Sequence, residues 1–373
     1  GLFCACSWTW AIGMYLPKII GERYGWAGFL AFLIPNVLGC AGFGYVIRSR
    51  RMSWAMIERN RGLMLLFSLA AIGFHMLFAG ILTLRFAGPD AAGGGLFIFP
   101  GDLALVILLA GGVLATLPDR AWLIMAAGLY VISLSTFGLV GIDGWTVLAD
   151  YGESELSELV WLIPVITAGL LLCPYLDLTF HRARQEAPSE HAFAVFGATF
   201  TVMLLLSVAI WFDAGPGLPA LLLGHFVGQA VFTTGAHLRE LREVGRRYSR
   251  GAWAMSAVGL AVLAVSVPAA SMVLGGDDAG IAETVYLRYL ALYGLVFPAA
   301  VLIFIGPWPV VRDRRRATMA LLAICIVLAP LFEAAFVHRV TWTMLVPTIA
   351  LVAWALARGK AARPSERAAH PPA

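Results

Sequence analysis

Charged side chains are scarce in this sequence. Asp, Glu, Lys and Arg make up only 13% of its 373 residues, whereas 60% are hydrophobic and the mean hydropathy is +0.84. Soluble domains carry about 25% charged residues, so this shortage excludes an ordinary soluble protein. Apolar runs of about 20 residues, long enough to cross ~30 Å of hydrocarbon as a helix, recur along the chain. The sequence therefore predicts an all-α, polytopic membrane protein without a separate soluble domain.

Motifs that mark enzymes and cofactor sites are also missing from the sequence. It has no phosphate-cradling P-loop, no HExxH zinc helix and no GxSxG nucleophile elbow. Haem ligation is disfavoured because His225 and His237 share one helix, and no second helix offers a matching pair. Cys4 and Cys6 alone are too few for a metal site, and all five cysteines lie in apolar stretches, which indicates buried thiols rather than a disulfide framework. We expect neither an enzyme nor an organic cofactor.

The apolar windows predict twelve membrane spans. These lie at residues 2–20, 26–47, 63–85, 97–117, 121–141, 159–180, 192–212, 217–237, 252–274, 284–306, 317–336 and 340–357. Most of the 26 basic residues fall on the same side as the N-terminus, which predicts that both termini are cytoplasmic. The net charge of +4 follows from this distribution and does not indicate nucleic-acid binding. Because Gly1 opens directly onto an apolar stretch with no signal-peptide pattern, we expect the first span to remain in the protein.

The spans divide into two sets of five within a single transmembrane domain, residues 1–373. The first set covers residues 1–141 and the second covers 159–306, followed by two additional helices at 317–357 and a disordered cytoplasmic tail at 358–373. Because each set has an odd number of spans, the second lies upside down relative to the first. Inverted repeats of this kind are typical of secondary transporters, whose substrates bind near the midplane where interrupted helices meet.

The first span of each set contains residues that interrupt helices. Span one reads "CACSWTWAIGMYLP" and span six reads "PVITAGLLLCPYLDLTFH". Each combines small, hydroxyl-bearing and proline residues, which can free backbone groups to face a cavity. We therefore predict that helices one and six are discontinuous and flank a site near the midplane.

Two adjacent threonines, Thr233 and Thr234, lie at the inner end of span eight, in "AVFTTGAHLRE". With Ala230 they form an A-x-x-T-T pattern, in which the hydroxyls lie about one turn below the Ala230 carbonyl. Several neutral oxygens of this kind suit a small hard cation such as Na⁺. In the alternative interpretation, the hydroxyls bond back to carbonyls of their own helix.

This pattern resembles the leucine-transporter-type inverted-repeat fold of the APC superfamily, and the sodium/solute symporter family within it. The eighth core helix of that family carries A-x-x-(S/T)-(S/T), and "YGWAGFLAFLIPNVLG" is similar to its second helix. The resemblance implies a coupling Na⁺ held by two backbone carbonyls of the broken first helix, here Ala5 and Trp8. Ala230, Thr233 and Thr234 would complete the site.

Several other residues within the spans are candidate functional groups, because polar groups are costly at membrane depth and aromatic faces suit many organic solutes. The candidate substrate-binding residues are Trp8, Trp10, Tyr15, His75, Thr167, Gly169, His225 and Gln229. Core packing is the alternative interpretation for His75 and for the aromatic residues. Asp177, in the inner part of span six, is a candidate coupling acid, and alternatively pairs with Arg182 or Arg184.

The leading hypothesis is a secondary active transporter that couples a small organic solute to Na⁺ by alternating access. The alternatives are a proton-coupled carrier that uses Asp177, and a transporter-fold sensor or scaffold that has lost transport. A membrane transferase is disfavoured because the longest acidic outer loop, "IDGWTVLADYGESELSE", is short and is predicted to be a solvated connector. We expect a small solute and membrane lipid as partners, no nucleic acid, and a bacterial cytoplasmic membrane as the location.

Overall fold

A computed structural model describes residues 1–9, 11–87, 100–140, 143–152, 154–213, 220–248, 279–305 and 313–361. All regular secondary structure in these ranges is helical. The predicted ninth span at 252–274, the candidate Trp10 and most of the predicted tail lie outside the described residues.

The helices are as follows. The N-terminal part of the chain contains α1 (Leu2–Trp8), α2 (Ala11–Val46), α3 (Arg50–Ala87), α4 (Pro100–Leu114), α5 (Asp119–Val140) and α6 (Asp143–Asp150). The C-terminal part contains α7 (Leu156–Leu172), α8 (Leu178–Glu186), α9 (His191–Asp213), α10 (Ala220–Tyr248), α11 (Ala279–Ala291), α12 (Arg314–Phe332) and α13 (Leu345–Ala361). Helix α11 continues to Ile305 through two π-helical segments, Leu292–Val296 and Val301–Ile305, and α12 continues as a π-helix over Glu333–Val337.

Six described helical segments are long and apolar enough to cross a membrane. They are Ala11–Val46, Arg50–Leu82, Leu156–Leu176, His191–Phe212, Glu283–Ile305 and Arg314–Val337, and Asp102–Leu114 and Thr341–Ala355 are shorter apolar helices. These segments confirm a helical protein of the membrane-embedded type. The count of twelve spans and the inverted repeat stay predictions.

Helix α2 bends at Gly25, between the predicted spans one and two. Gly25 has φ +56° and ψ −143°, a backbone conformation that residues with a Cβ rarely adopt. The Tyr151 carbonyl oxygen lies 2.5 Å from the place that a Cβ would occupy. The N–H of Ser154 donates to the Arg23 carbonyl at 2.9 Å. Glycine at this position therefore permits both the bend in α2 and the close approach of the segment that contains Tyr151.

The acidic outer loop is not simply a solvated connector, and that prediction is wrong for its first half. Residues 143–150 form α6, which packs against α9 and α2. Leu148 is fully buried, and the Trp145 indole donates to the Leu205 carbonyl at 3.0 Å. The sequence carries the signal for this docking, because Trp145 and Leu148 are three residues apart and therefore share one helical face.

Helix α10 has a central position among the described helices. It packs against α3, α4 and α5, and it also contacts α1 and α8. Helix α1 in turn contacts α5 and α9. Helix α12 is different, since Met319, Ile326 and Val327 are 63%, 72% and 65% exposed. An apolar surface of this kind suits contact with lipid.

Candidate functional site

The first interruption of the helices follows Trp8. Helix α1 ends there, and α2 begins at Ala11. Thr9 has ψ 74°, which is outside the helical range, and its N–H and hydroxyl both donate to the Ala5 carbonyl, at 3.1 and 2.7 Å. The break coincides with the interruption predicted for span one. The Ala5 carbonyl, a predicted Na⁺ ligand, is thus engaged by Thr9.

The second interruption lies between α7 and α8. Helix α7 ends at Leu172 and is followed by a 3₁₀ turn, Cys173–Leu176, and by extended backbone at Asp177. Pro174 has no N–H to continue the α-helical pattern. The Asp177 carboxylate then caps α8, because its Oδ1 accepts from the Thr179 N–H at 2.6 Å. Span six is therefore discontinuous near its C-terminal end.

The two interruptions lie side by side, although more than 160 residues separate them in sequence. The hydroxyl oxygens of Ser7 and Thr179 are 3.3 Å apart and share a hydrogen bond. The rings of Trp8 and Phe180 meet edge to face with centroids 4.7 Å apart. Contacts from both breaks thus create one region of irregular backbone within the bundle.

Helix α10 presents its threonines to this region. Thr233 and Thr234 are fully buried, as is Ala230. The Thr233 hydroxyl donates to the Cys6 carbonyl of α1 at 3.1 Å, so it does not bond back to its own helix. The Thr234 hydroxyl is buried without a hydrogen-bond partner in the described part of the chain. A cation held between α1 and α10 would find an unused hydroxyl at this place.

A cluster of buried polar side chains lies next to the second break. Asp177 Oδ2 is 4.0 Å from His237 Nε2, and the other ring nitrogen of His237 is 3.2 Å from the Ser68 hydroxyl. All three side chains are fully buried. His237 is not one of the predicted site residues. Its position four residues after Thr233, on the same helical face, is the signal that connects it with the site.

The alternative partners predicted for Asp177 are bound elsewhere. Arg182 donates from Nε to Glu240 Oε1 at 2.9 Å. Arg184 donates to the carbonyls of Ile47 and Arg48. Glu240 lies beyond the predicted end of span eight, where burial raises the pKa of its carboxyl and the charge of Arg182 opposes that rise. The two arginines therefore connect α8 to neighbouring segments. Neither is the partner of Asp177, whose carboxylate instead lies near His237.

His225 and Gln229 face a different neighbour, helix α5. The Ser133 hydroxyl is 2.8 Å from His225 Nδ1 and accepts from Gln229 Nε2 at 3.1 Å. His225 Nε2 and Gln229 Oε1 are buried without hydrogen-bond partners among the described residues. The predicted column of polar groups on α10 is present, but its members contact two different helices.

A cavity of about 250 Å³ lies on the other side of the α1 break. It is bordered by α2, α7, α11 with its π-helical continuation, and α12. Most of its walls are aliphatic, and Trp8 and Gly169 are the predicted substrate-binding residues that line it. Asn36 and Ile166 also line it but were not among the predicted residues, because no motif shows which face of an apolar helix meets a void.

The remaining predicted substrate residues contribute to packing. Tyr15 meets the rings of Trp211 and Tyr286, with centroids 5.3 and 4.8 Å apart. His75 is fully buried, and its Nδ1 is 2.7 Å from the Ala71 carbonyl of its own helix. Thr167 is half-buried on α7 and is not among the residues that line the cavity.

Two ion pairs lie at the end of the cavity away from Trp8. Arg23 contacts Glu283 at 2.7 Å, and Arg288 contacts Glu333 at 2.7 Å. The first pair connects α2 with α11, and the second connects α11 with the π-helical end of α12. These ion pairs form a polar rim, and the cavity extends from this rim to Trp8 at the break.

No protein-family model matches the chain, and no curated protein is significantly similar to it. Within the described ranges, no group of three or more His, Cys, Asp or Glu side chains has the arrangement of a metal site. Assignment of function therefore depends on the local geometry around the two breaks.

Proposed function

We propose that this chain is a secondary active transporter that couples Na⁺ to the movement of a small organic solute by alternating access. The observation that carries the proposal is the meeting of two helix breaks, with Ser7 and Thr179 in contact and α10 reaching α1 through Thr233. Irregular backbone is tolerated at membrane depth where it is buried in protein or lines a cavity, and such places bind substrates and ions in transporters.

The residues around the first break suit Na⁺. The ion takes several oxygen ligands at short range, and neutral carbonyls and hydroxyls provide them without a fixed charge. Thr233 already approaches a carbonyl at the end of α1, and the buried Thr234 hydroxyl has no protein partner in the described part of the chain. We propose that these hydroxyls bind Na⁺ together with the carbonyls of Ala5, Trp8 and Ala230. Binding would require Thr233 to exchange its bond to Cys6 for the ion.

Thermal unfolding of the purified protein in detergent tests this proposal. A ligand that binds only the folded state stabilises it by RT ln(1 + [L]/Kd), so NaCl should raise the unfolding temperature above that in KCl or choline chloride. The double variant Thr233→Ala, Thr234→Ala should lose the difference. Thr201→Ala is the matched control, because the Thr201 hydroxyl bonds back to Gly197 within α9 at 2.8 Å. Identical curves in all three salts would contradict sodium coupling.

A proton-coupled carrier is the second candidate, and the contact between Asp177 and His237 favours it. Both side chains are fully buried, and the carboxylate and ring nitrogen are 4.0 Å apart. A buried acid next to an imidazole is a suitable place for a transported proton. Proteoliposomes with an imposed pH gradient and no sodium distinguish this case: solute accumulation that Asp177→Asn abolishes supports proton coupling. Absence of solute movement under both gradients, for every solute tried, would instead indicate a sensor or scaffold.

A further inference from the structure

The cavity between α2, α7, α11 and α12 has walls of nearly uniform chemistry. Ile12, Leu16, Leu162 and Ile166 are among its many aliphatic lining residues, and each is less than 9% exposed. The charged groups among its described lining residues lie at the end away from Trp8, where Arg23 and Arg288 are already paired with carboxylates. A sugar or a zwitterion in this space would lose its hydration without gaining hydrogen bonds along the walls.

Among the polar lining residues of the cavity, Asn36 lies next to Trp8, at the end of the cavity near the break. It is 2% exposed. Its Oδ1 accepts from the Trp8 indole N–H at 2.9 Å and from the Cys40 thiol at 3.6 Å. The hydrogen bonds found for the Asn36 side chain within the described ranges use only Oδ1, which leaves the Nδ2 hydrogens to donate to a molecule in the cavity. Trp8 fixes this orientation of the amide, because the indole nitrogen can only donate.

The volume limits the size of that molecule. An apolar cavity of about 150 Å³ holds a benzene molecule. A volume of about 250 Å³ therefore accommodates a single ring with a short substituent, or a branched hydrocarbon of similar size.

We propose that this cavity binds a small, uncharged solute with an aromatic or branched apolar body and one hydrogen-bond acceptor, which accepts from Asn36. The inference rests on the proposed function, since it names the class of solute that the transporter would carry. Trp8 connects the two sites: its indole borders the cavity, and it is the last residue of α1, to which Thr233 bonds. Movement of this end of α1 would affect the ion and the solute together.

Isothermal titration calorimetry of the protein in nanodiscs tests the inference, with empty nanodiscs subtracted to remove partitioning into lipid. The probes are acetophenone, which has a carbonyl acceptor, and ethylbenzene, which has the same shape without it. We expect saturable binding of acetophenone and affinity about five-fold lower for ethylbenzene, the effect of one hydrogen bond. D-Glucose and glycine should give no heat.

Variants of α7 locate the bound probe. Ile166→Trp fills the cavity and should abolish acetophenone binding. Ile163→Trp is the matched control, because Ile163 is 39% exposed on the same helix and does not line the cavity. Val165→Phe, at a second lining position, gives an independent test if Ile166→Trp fails to fold. Equal binding by the wild type and a folded cavity-filling variant would overturn the inference, as would absence of acetophenone binding or saturable binding of glucose.

Titrations in NaCl and in choline chloride separate this inference from the sodium proposal. Acetophenone binding in both salts, without sodium-dependent stabilisation, would leave the cavity assignment intact and remove sodium coupling. Sodium-dependent stabilisation without acetophenone binding would support the sodium site and overturn the assignment of the cavity.

Discussion

The two sides of the α1 break differ in chemistry. On the α10 side, Thr233, Thr234 and His237 bring hydroxyl and imidazole groups to fully buried positions. On the α7 side, the described walls of the cavity are mostly aliphatic, and Asn36 offers an amide donor. Polar groups are costly to bury unless they are paired or functional, so their concentration on one side is informative. In the proposed transporter, the ion and the solute would therefore bind at opposite faces of the short helix α1.

Filling the apolar side should have the largest effect on stability. A Cβ at Gly169 would lie 2.8 Å from the Tyr293 carbonyl oxygen, so Gly169→Leu must push α7 away from the continuation of α11. We expect the free energy of unfolding to fall by about 2–3 kcal/mol. Acetophenone binding should also be lost. Thermal unfolding in detergent and calorimetry in nanodiscs measure the two effects.

Gly128→Leu is the control for that substitution. Gly128 lies in the helix α5, and no atom lies within 4 Å of the place that its Cβ would occupy. A leucine there should leave both stability and binding nearly unchanged. If both variants destabilise the protein equally, crowding at the cavity is not the reason.

Removal of the carboxylate at Asp177 tests the polar side and should have the second largest effect. Asp177→Ala loses the hydrogen bond from the Thr179 N–H that begins α8, and we expect a loss of about 1–2 kcal/mol. Asp177→Asn keeps a capping oxygen and should be close to the wild type in stability. Both variants should keep sodium-dependent stabilisation if the ion binds at Thr233 and Thr234. Loss of the sodium response in the folded Asn variant would extend the ion site across the second break.

Ser133→Ala probes the contact between α10 and α5, with a smaller expected effect. It leaves His225 and Gln229 without their shared partner, which should cost about 1 kcal/mol. Ser135→Ala is the matched control, because the exposed Ser135 hydroxyl bonds only to the Val131 carbonyl of its own helix. The sodium-dependent shift in unfolding temperature should survive both changes. A shift that disappears with Ser133→Ala would show that the polar region reaches α5.

Part of this arrangement is predictable from the sequence. Composition alone predicts a helical membrane protein, because recurring apolar runs of about 20 residues are typical of membrane-spanning helices. The interruption of span one follows from the hydroxyl and glycine content around Thr9, and that of span six from Pro174 and Asp177. Thr233 contacts the end of α1 by donating to the Cys6 carbonyl, and the Na⁺ site at Ala5, Trp8, Ala230, Thr233 and Thr234 stays a prediction.

The cavity was not predictable in the same way. Its position depends on how α2 and α7 are rotated about their axes, and both helices are apolar on all sides, so no periodicity marks the inward face. Residues such as Asn36 gain their meaning only from neighbours that are distant in sequence. His237 was overlooked because the imidazole was weighed as a haem ligand, whereas its partners Ser68 and Asp177 lie on other helices.

We expect the smallest effect on stability from a substitution in the polar rim of the cavity. The side chains of Arg23 and Glu283 are 12% and 26% exposed, and partly solvated ion pairs contribute about 1 kcal/mol or less, decreasing with salt. Arg23→Gln should therefore change stability little, yet it removes a contact that connects α2 with α11 across the rim. We expect acetophenone to associate and dissociate several-fold faster with its Kd nearly unchanged, as measured by stopped-flow fluorescence of the indole groups. Arg246→Gln, at a 68% exposed side chain on α10, should leave both rates unaltered. If Arg23→Gln weakens equilibrium binding as strongly as Ile166→Trp, then the rim takes part in recognition, and the contrast between a polar ion side and an apolar solute side fails.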